Sequence, residues 1–178
     1  MEKIKLLDKR FKLFIREDEI AKQIEELAQT ISSDLKNESV FFMGILNGAF
    51  MFASDLLKKI DLECRITFLK LASYEGTSST GNVKRLIGIN EDIKGHTVVI
   101  IEDIVDTGIT LEHIVKQLKG YEPKEIKVAT MFFKPDAYKG DIKVDYVGME
   151  IPNDFIVGYG LDYDGYGRNL KDLYVLDK

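Results

Sequence analysis

Ile20, Ile24, Leu27, Ile31 and Leu35 recur every three or four positions between Asp18 and Asn37, the apolar stripe of an amphipathic helix. The period then changes. Ser39 to Leu46 (SVFFMGIL) is an apolar run of strand length, Asn47-Gly48 has turn chemistry, and Ala49 to Lys59 reads as a second helix. Arg65 to Ala72 is a strand rich in β-branched and apolar residues. Ser73 to Lys84 (SYEGTSSTGNVK) holds almost nothing to bury, which predicts a mobile loop. Beyond it, Arg85 to Ile89 is a short strand, Glu91 to His96 a polar turn, and Thr97 to Glu102 (TVVIIE) a strand apolar on both faces. Leu111, Ile114, Val115 and Leu118 restore the helical spacing, with Gly120 as a stop. Ile126 to Phe133, Tyr146 to Glu150 and Phe155 to Leu161 complete the predicted strands.

Strands alternating with helices predict βαβ units. The fold class is therefore α/β, a doubly wound, mainly parallel sheet flanked by helices, with a small hood or flap. In such a sheet ligands bind beyond the carboxyl ends of the strands. No repeat or composition break divides residues 1–178, so a single domain is expected, with its mobile loop at about 73–84.

Composition narrows the function. The chain has 178 residues, 45% hydrophobic and 31% charged, which excludes disordered, collagen-like and disulfide-framed classes. Twenty-five Lys and Arg against 30 Asp and Glu leave a formal charge of −5, which argues against a nucleic-acid partner. Charges break up the first twenty residues and no later stretch has membrane-span length, so the reading is cytoplasmic, without a membrane partner. Cys64 is expected to be a small buried hydrophobe. With two His and one Cys, zinc is disfavoured, and any metal would be a hard ion on carboxylates, Mg²⁺ first.

The most informative segment is Val98 to Thr110, VVIIEDIVDTGIT. A buried strand runs into two adjacent acids, a third three residues on, and a Thr-Gly-x-Thr turn that opens a helix. Exposed backbone N–H groups at a helix start, hydroxyls from Thr107 and Thr110, and a close turn at Gly108 form a cradle suited to a phosphomonoester. Glu102 and Asp103 can accept hydrogen bonds from two ribose hydroxyls or hold Mg²⁺ through water. Asp106 can act as a base. Each of these residues alone is more often a cap. Gly76 and Gly81 have P-loop glycine spacing, but Asn82-Val83 stands where Lys and Ser or Thr are needed, and no G-x-G-x-x-G follows a strand. An aspartyl-phosphate site wants acids two apart, whereas Asp103 and Asp106 are three apart. A nucleotide-sensing RNA binder of the same fold is a further alternative.

VVIIEDIVDTGIT resembles the phosphoribosyl pyrophosphate motif of type I phosphoribosyltransferases, and roughly residues 39 to 178 are similar to the hypoxanthine–guanine branch. Ile45-Leu46-Asn47-Gly48 resembles the pyrophosphate loop, with Asn47 where relatives often carry Lys and a strained or cis peptide expected after Leu46. Ser73-Tyr74 opens what resembles the catalytic lid. Lys134 resembles the purine-reading lysine, Phe155-Ile156-Val157-Gly158-Tyr159 the purine-stacking strand, and Leu161-Asp162-Tyr163 the metal segment. Arg168 falls at the family's arginine near pyrophosphate, and Asp154 stands where relatives are often basic.

The resemblance implies transfer of phosphoribose to a 6-oxopurine, with phosphoribosyl pyrophosphate and the purine as small-molecule substrates and Mg²⁺ as cofactor. It implies Asp106 as general base; Glu102, Asp103, Asp106, Thr107, Gly108, Ile109 and Thr110 around the 5′-phosphate and ribose; and Asn47, Gly48 and Arg168 at pyrophosphate. Lys134, Phe155, Ile156 and Asp162 would meet the purine, Glu102, Asp103 and Asp162 the metal, and a homodimer or homotetramer is expected.

Overall fold

The computed structural model of the chain describes residues 2–74 and 83–177. It opens with a hairpin, β1 (Lys3–Leu6) and β2 (Lys9–Ile15), followed by α1 (Glu17–Asp34), β3 (Val40–Leu46) and α2 (Phe50–Leu57). Next come β4 (Cys64–Tyr74), β5 (Val83–Ile87), β6 (Thr97–Val105), α3 (Ile109–Lys119) and β7 (Glu125–Phe133). The chain ends through β8 (Tyr146–Glu150), β9 (Ile156–Val157) and β10 (Leu173–Leu176).

Two sheets result. The larger has the order β5-β4-β3-β6-β7-β8, with β4, β3, β6, β7 and β8 mutually parallel and β5 added antiparallel at the edge. The apolar run of β6 forms its centre, where Val98, Val99, Ile100 and Ile101 have no exposure. Helices α1 and α2 cover one face and α3 the other, as the two-sided apolarity of β6 requires. The α1 stripe is the predicted one, with Ile20, Ile24, Leu27, Ile31 and Leu35 all buried. Each such side chain contributes about 1.5–3 kcal/mol. Glu17, Asp18 and Glu19 place negative charge at the positive end of the α1 dipole.

The smaller sheet, β1-β2-β10-β9, is wholly antiparallel. It forms the predicted hood, but half of it is the N-terminal hairpin, whose strands the hydrophobic pattern does not reveal. Lys3, Lys5, Lys9 and Lys12 interrupt β1 and β2, because hood strands bury one side only.

Several boundaries differ from expectation. The expected strand Phe155 to Leu161 contracts to Ile156–Val157, since Gly158, Tyr159 and Gly160 all have positive φ, outside the β region. The strand expected at 97–102 continues to Val105, because Ile104 and Val105 still pair with Phe132 and Phe133. The loop expected at 73–84 has paired ends, Ser73 opposite Lys84 and Tyr74 opposite Val83, and its centre, 75–82, lies outside the described residues. The pairing also starts β5 two residues before the expected Arg85. Cys64 is exposed, not buried, because it begins β4 on the face that also leaves Ile66 and Phe68 exposed.

Candidate active site

From β3 the chain crosses to β4 on one side, while β6, β7 and β8 lie on the other. The strand order therefore reverses between β3 and β6, and the crevice beyond their carboxyl ends is where an open α/β sheet receives a ligand. Asn47 and Gly48 leave β3 there, and Glu102 to Asp106 end β6 there. A cleft of about 260 Å³ is lined by the motif's Glu102, Asp103, Asp106, Thr107, Gly108 and Thr110, among others. Ile109 starts α3, is 58% exposed and is not part of that lining.

Gly108 holds the turn at φ 89°, in the left-handed region, and a Cβ there would lie 2.5 Å from the Tyr138 ring. Helix α3 begins at the next residue, leaving the N–H groups of its first turn without intrahelical partners. With Thr107 and Thr110 on the same cleft, these donors can bind a phosphate. Tyr138, thirty residues away in sequence, carries no motif that announces this contact.

The acids lie deeper. Glu102 is buried, and burial followed by the neighbouring Asp103 charge raises its pKa well above the ordinary carboxylate range. Burial pushes Asp103 up to about 6, against opposing hydrogen bonds that include the Ile104 N–H at 2.9 Å from Oδ1. The Leu46–Asn47 peptide is cis. A Cβ on Gly48 would sit 1.7 Å from Asp103 Oδ2, so only glycine lets the two loops meet. Gly160 presses on the same loop, since its Cβ would meet the Gly48 carbonyl at 2.1 Å.

Arg168 donates to the Gly160 carbonyl at 2.7 Å and pairs with Asp162 at 2.5 Å, while the other Asp162 oxygen accepts from the Gly165 N–H at 2.7 Å. Leu46, Asn47, Tyr166 and Arg168 line a neighbouring open cleft of about 630 Å³. Among the described residues no three ligating side chains converge on one point. Mg²⁺ is usually held by one or two carboxylates plus substrate oxygens, and the buried Glu102 beside the partly buried Asp103 suits it. The donor set fits.

Lys134, at the end of β7, is buried, and its Nζ lies 2.8 Å from Asp106 Oδ2. Phe155 is 43% exposed. Its ring meets Tyr163 edge-on at 5.9 Å and Phe11 at 6.2 Å. Ile156 is buried and pairs with Val175 of β10. Ser73 and Tyr74 end β4. Sequence reasoning missed Tyr138, Gly160 and the hairpin residues Lys9 and Phe11; the dense glycines of VGYGLDYDGYG were the one signal that this stretch turns repeatedly.

Known proteins resemble this chain over most of its length. The phosphoribosyl transferase domain matches residues 15–164. A hypoxanthine-guanine phosphoribosyltransferase of Bacillus subtilis is 40% identical over 166 residues, 93% of this chain and 92% of that one. One of Aquifex aeolicus is 37% identical over 171 residues, 95% of this chain and 96% of its own. The crystal structure of a hypoxanthine phosphoribosyltransferase from Staphylococcus aureus superposes with TM-score 0.83 at 36% identity, covering 93% of this chain and 91% of that one. That of the Trypanosoma cruzi enzyme, a mutant in a ternary substrates complex, gives 0.85 at 32%, covering 93% and 95%. With the acid-bearing turn, the buried lysine and these likenesses in agreement, the chain belongs to the phosphoribosyltransferase family, in its hypoxanthine–guanine branch.

Proposed function

We propose that the chain transfers the phosphoribosyl group of phosphoribosyl pyrophosphate to a ring nitrogen of hypoxanthine or guanine, releasing pyrophosphate. The observation that carries this reading is the Lys134–Asp106 pair, whose aspartate lines the motif cleft. It offers a hydrogen-bond donor for a 6-oxo group and a carboxylate for a ring N–H, side by side.

Thr107, Thr110 and the first turn of α3 hold the 5′-phosphate. Asn47, Gly48 and Arg168 grip the departing pyrophosphate. Lys134 reads the 6-oxo group, Phe155 stacks on the base, and the Ile156 backbone meets its edge. Asp106 hydrogen-bonds the purine's imidazole edge and accepts or shares its proton as a ring nitrogen bonds to the anomeric carbon and the carbon–pyrophosphate bond breaks, a contribution of about 10²–10⁴-fold. Cationic charge develops on the ribose in the transition state, and the acids of the cleft stabilise it electrostatically. Glu102, Asp103 and Asp162 would hold Mg²⁺, directly or through water, and that ion neutralises pyrophosphate charge. Ser73 and Tyr74, at the end of β4, stand where the family's catalytic loop opens.

Exposed Ile66 and Phe68 on β4 support the expected homodimer or homotetramer. A cytoplasmic site of action suits the family's small-molecule substrates, and no helix among the described residues is long and apolar enough to cross a membrane. The test is direct: purified protein with Mg²⁺, phosphoribosyl pyrophosphate and hypoxanthine or guanine forms IMP or GMP and pyrophosphate, and fails with adenine. Absence of product with either 6-oxopurine would overturn the reading.

A further inference from the structure

The N-terminal hairpin reaches the Phe155 end of the site. Strand β2 pairs with β10, β10 pairs with β9, and the Leu176 N–H donates to the Phe155 carbonyl at 2.9 Å. Two backbone ladders thus set the hairpin turn against the Phe155 ring. At that turn Asp8 Oδ1 accepts from the Tyr163 hydroxyl at 2.7 Å, tying the turn to the segment that follows β9. The next residue, Lys9, carries its ammonium over two rings, 4.4 Å from the Tyr163 centroid and 5.3 Å from that of Phe155. Both distances fall inside the range of a cation–π contact.

We propose that Lys9 is a positioning residue for purine binding, setting the plane and polarity of the Phe155 ring on which the base stacks. The inference rests on the reading of Phe155 as the stacking platform. Phe11 and Tyr163 buttress the ring from the hood, and its 43% exposure leaves room for a flat partner. An aromatic face is electron-rich, so two faces repel when stacked directly. An ammonium held over the ring draws that density toward itself and makes the open side a better partner for the π-electrons of a purine. Lys9 is absent from the lining of both the motif cleft and the neighbouring cleft beside Arg168, so its effect is expected on the base.

Lys9→Met keeps most of the aliphatic stem and removes the charge, and Lys9→Arg keeps a cation. For Lys9→Met the expected result is a rise in KM for hypoxanthine of roughly three- to fivefold, with kcat and KM for phosphoribosyl pyrophosphate near wild type. Lys9→Arg should restore the hypoxanthine KM. Phe155→Ala serves as the reference. If Phe155→Ala raises the hypoxanthine KM and Lys9→Met does not, the role of Lys9 is refuted while the stacking reading stands. An unchanged KM in Phe155→Ala removes the stacking reading and this inference with it. Equal rises in both KM values with a lowered melting temperature, or no rescue by Lys9→Arg, would reduce Lys9 to a structural part of the hood.

Discussion

Lys134 Nζ and Asp106 Oδ2 lie 2.8 Å apart, and the two side chains differ sharply in burial, 8% exposed for the lysine against 42% for the aspartate. Lys134 depends on this partner more than Asp106 does, because a buried ammonium without an acceptor is costly whereas a half-exposed carboxylate is solvated. A 6-oxopurine entering here would supply Lys134 with a carbonyl acceptor and leave Asp106 free to take a ring N–H. Adenine would offer an amino donor to a donor, a mismatch that would disfavour it.

Lys134→Gln replaces an obligate donor with an amide that can also accept. The expected outcome is a hypoxanthine kcat/KM reduced by about tenfold or more, with discrimination against adenine relaxed. Steady-state kinetics with both bases check it, and retained discrimination would show that selection lies elsewhere.

Asp106→Asn keeps an oxygen near Lys134 and removes the basic carboxylate. Turnover should fall by about 10²–10⁴-fold, with little change in melting temperature because Lys134 retains an acceptor. Product formation under saturating substrates and a thermal melt separate lost chemistry from lost folding.

Gly108→Ala meets two obstacles, the φ of 89° and the Tyr138 ring 2.5 Å from the new Cβ. Strain of this kind costs about 1–3 kcal/mol, and the displaced turn carries the N–H groups proposed to hold the 5′-phosphate. A melting temperature lower by roughly 5 °C, together with a raised KM for phosphoribosyl pyrophosphate, is the expected result.

Asp103 provides a pH signature. Its carboxyl is raised from 3.8 to about 6 by burial, so in metal-free protein the folded state binds its proton more tightly than the unfolded state does. The group favours the folded state below the unfolded value, and that contribution is lost as pH rises from about 4 to above 6. Asp103→Asn removes the cost of burying the charge, on the order of 2–3 kcal/mol. Without metal, the variant should melt increasingly above wild type as pH climbs through that window, while its Mg²⁺-dependent activity falls. Parallel melting curves at pH 4.5 and 7.5 would contradict the assignment.

The βαβ core was legible because burial on both faces demands continuous apolar strands, and helices over the sheet demand 3.6-residue stripes. TVVIIE and the Ile20–Leu35 spacing carry that information within one local window. The acid-bearing turn was equally legible, since a strand, three carboxylates and Thr-Gly-x-Thr are contiguous. Local pattern stopped where pairing was long-range or one-sided. The N-terminal hairpin, the short β9 and the antiparallel start of β5 owe their strands to distant partners rather than to their own periodicity. Side-chain encounters were hidden for the same reason: Lys134 with Asp106, Gly48 with Asp103, and Lys9 over Phe155 join residues far apart along the chain. Sequence by itself determined the core elements and the chemistry available at the turn; the hood strands, which groups meet, how deeply the acids are buried and what backs the aromatic ring depend on contacts that form only when the strands pair.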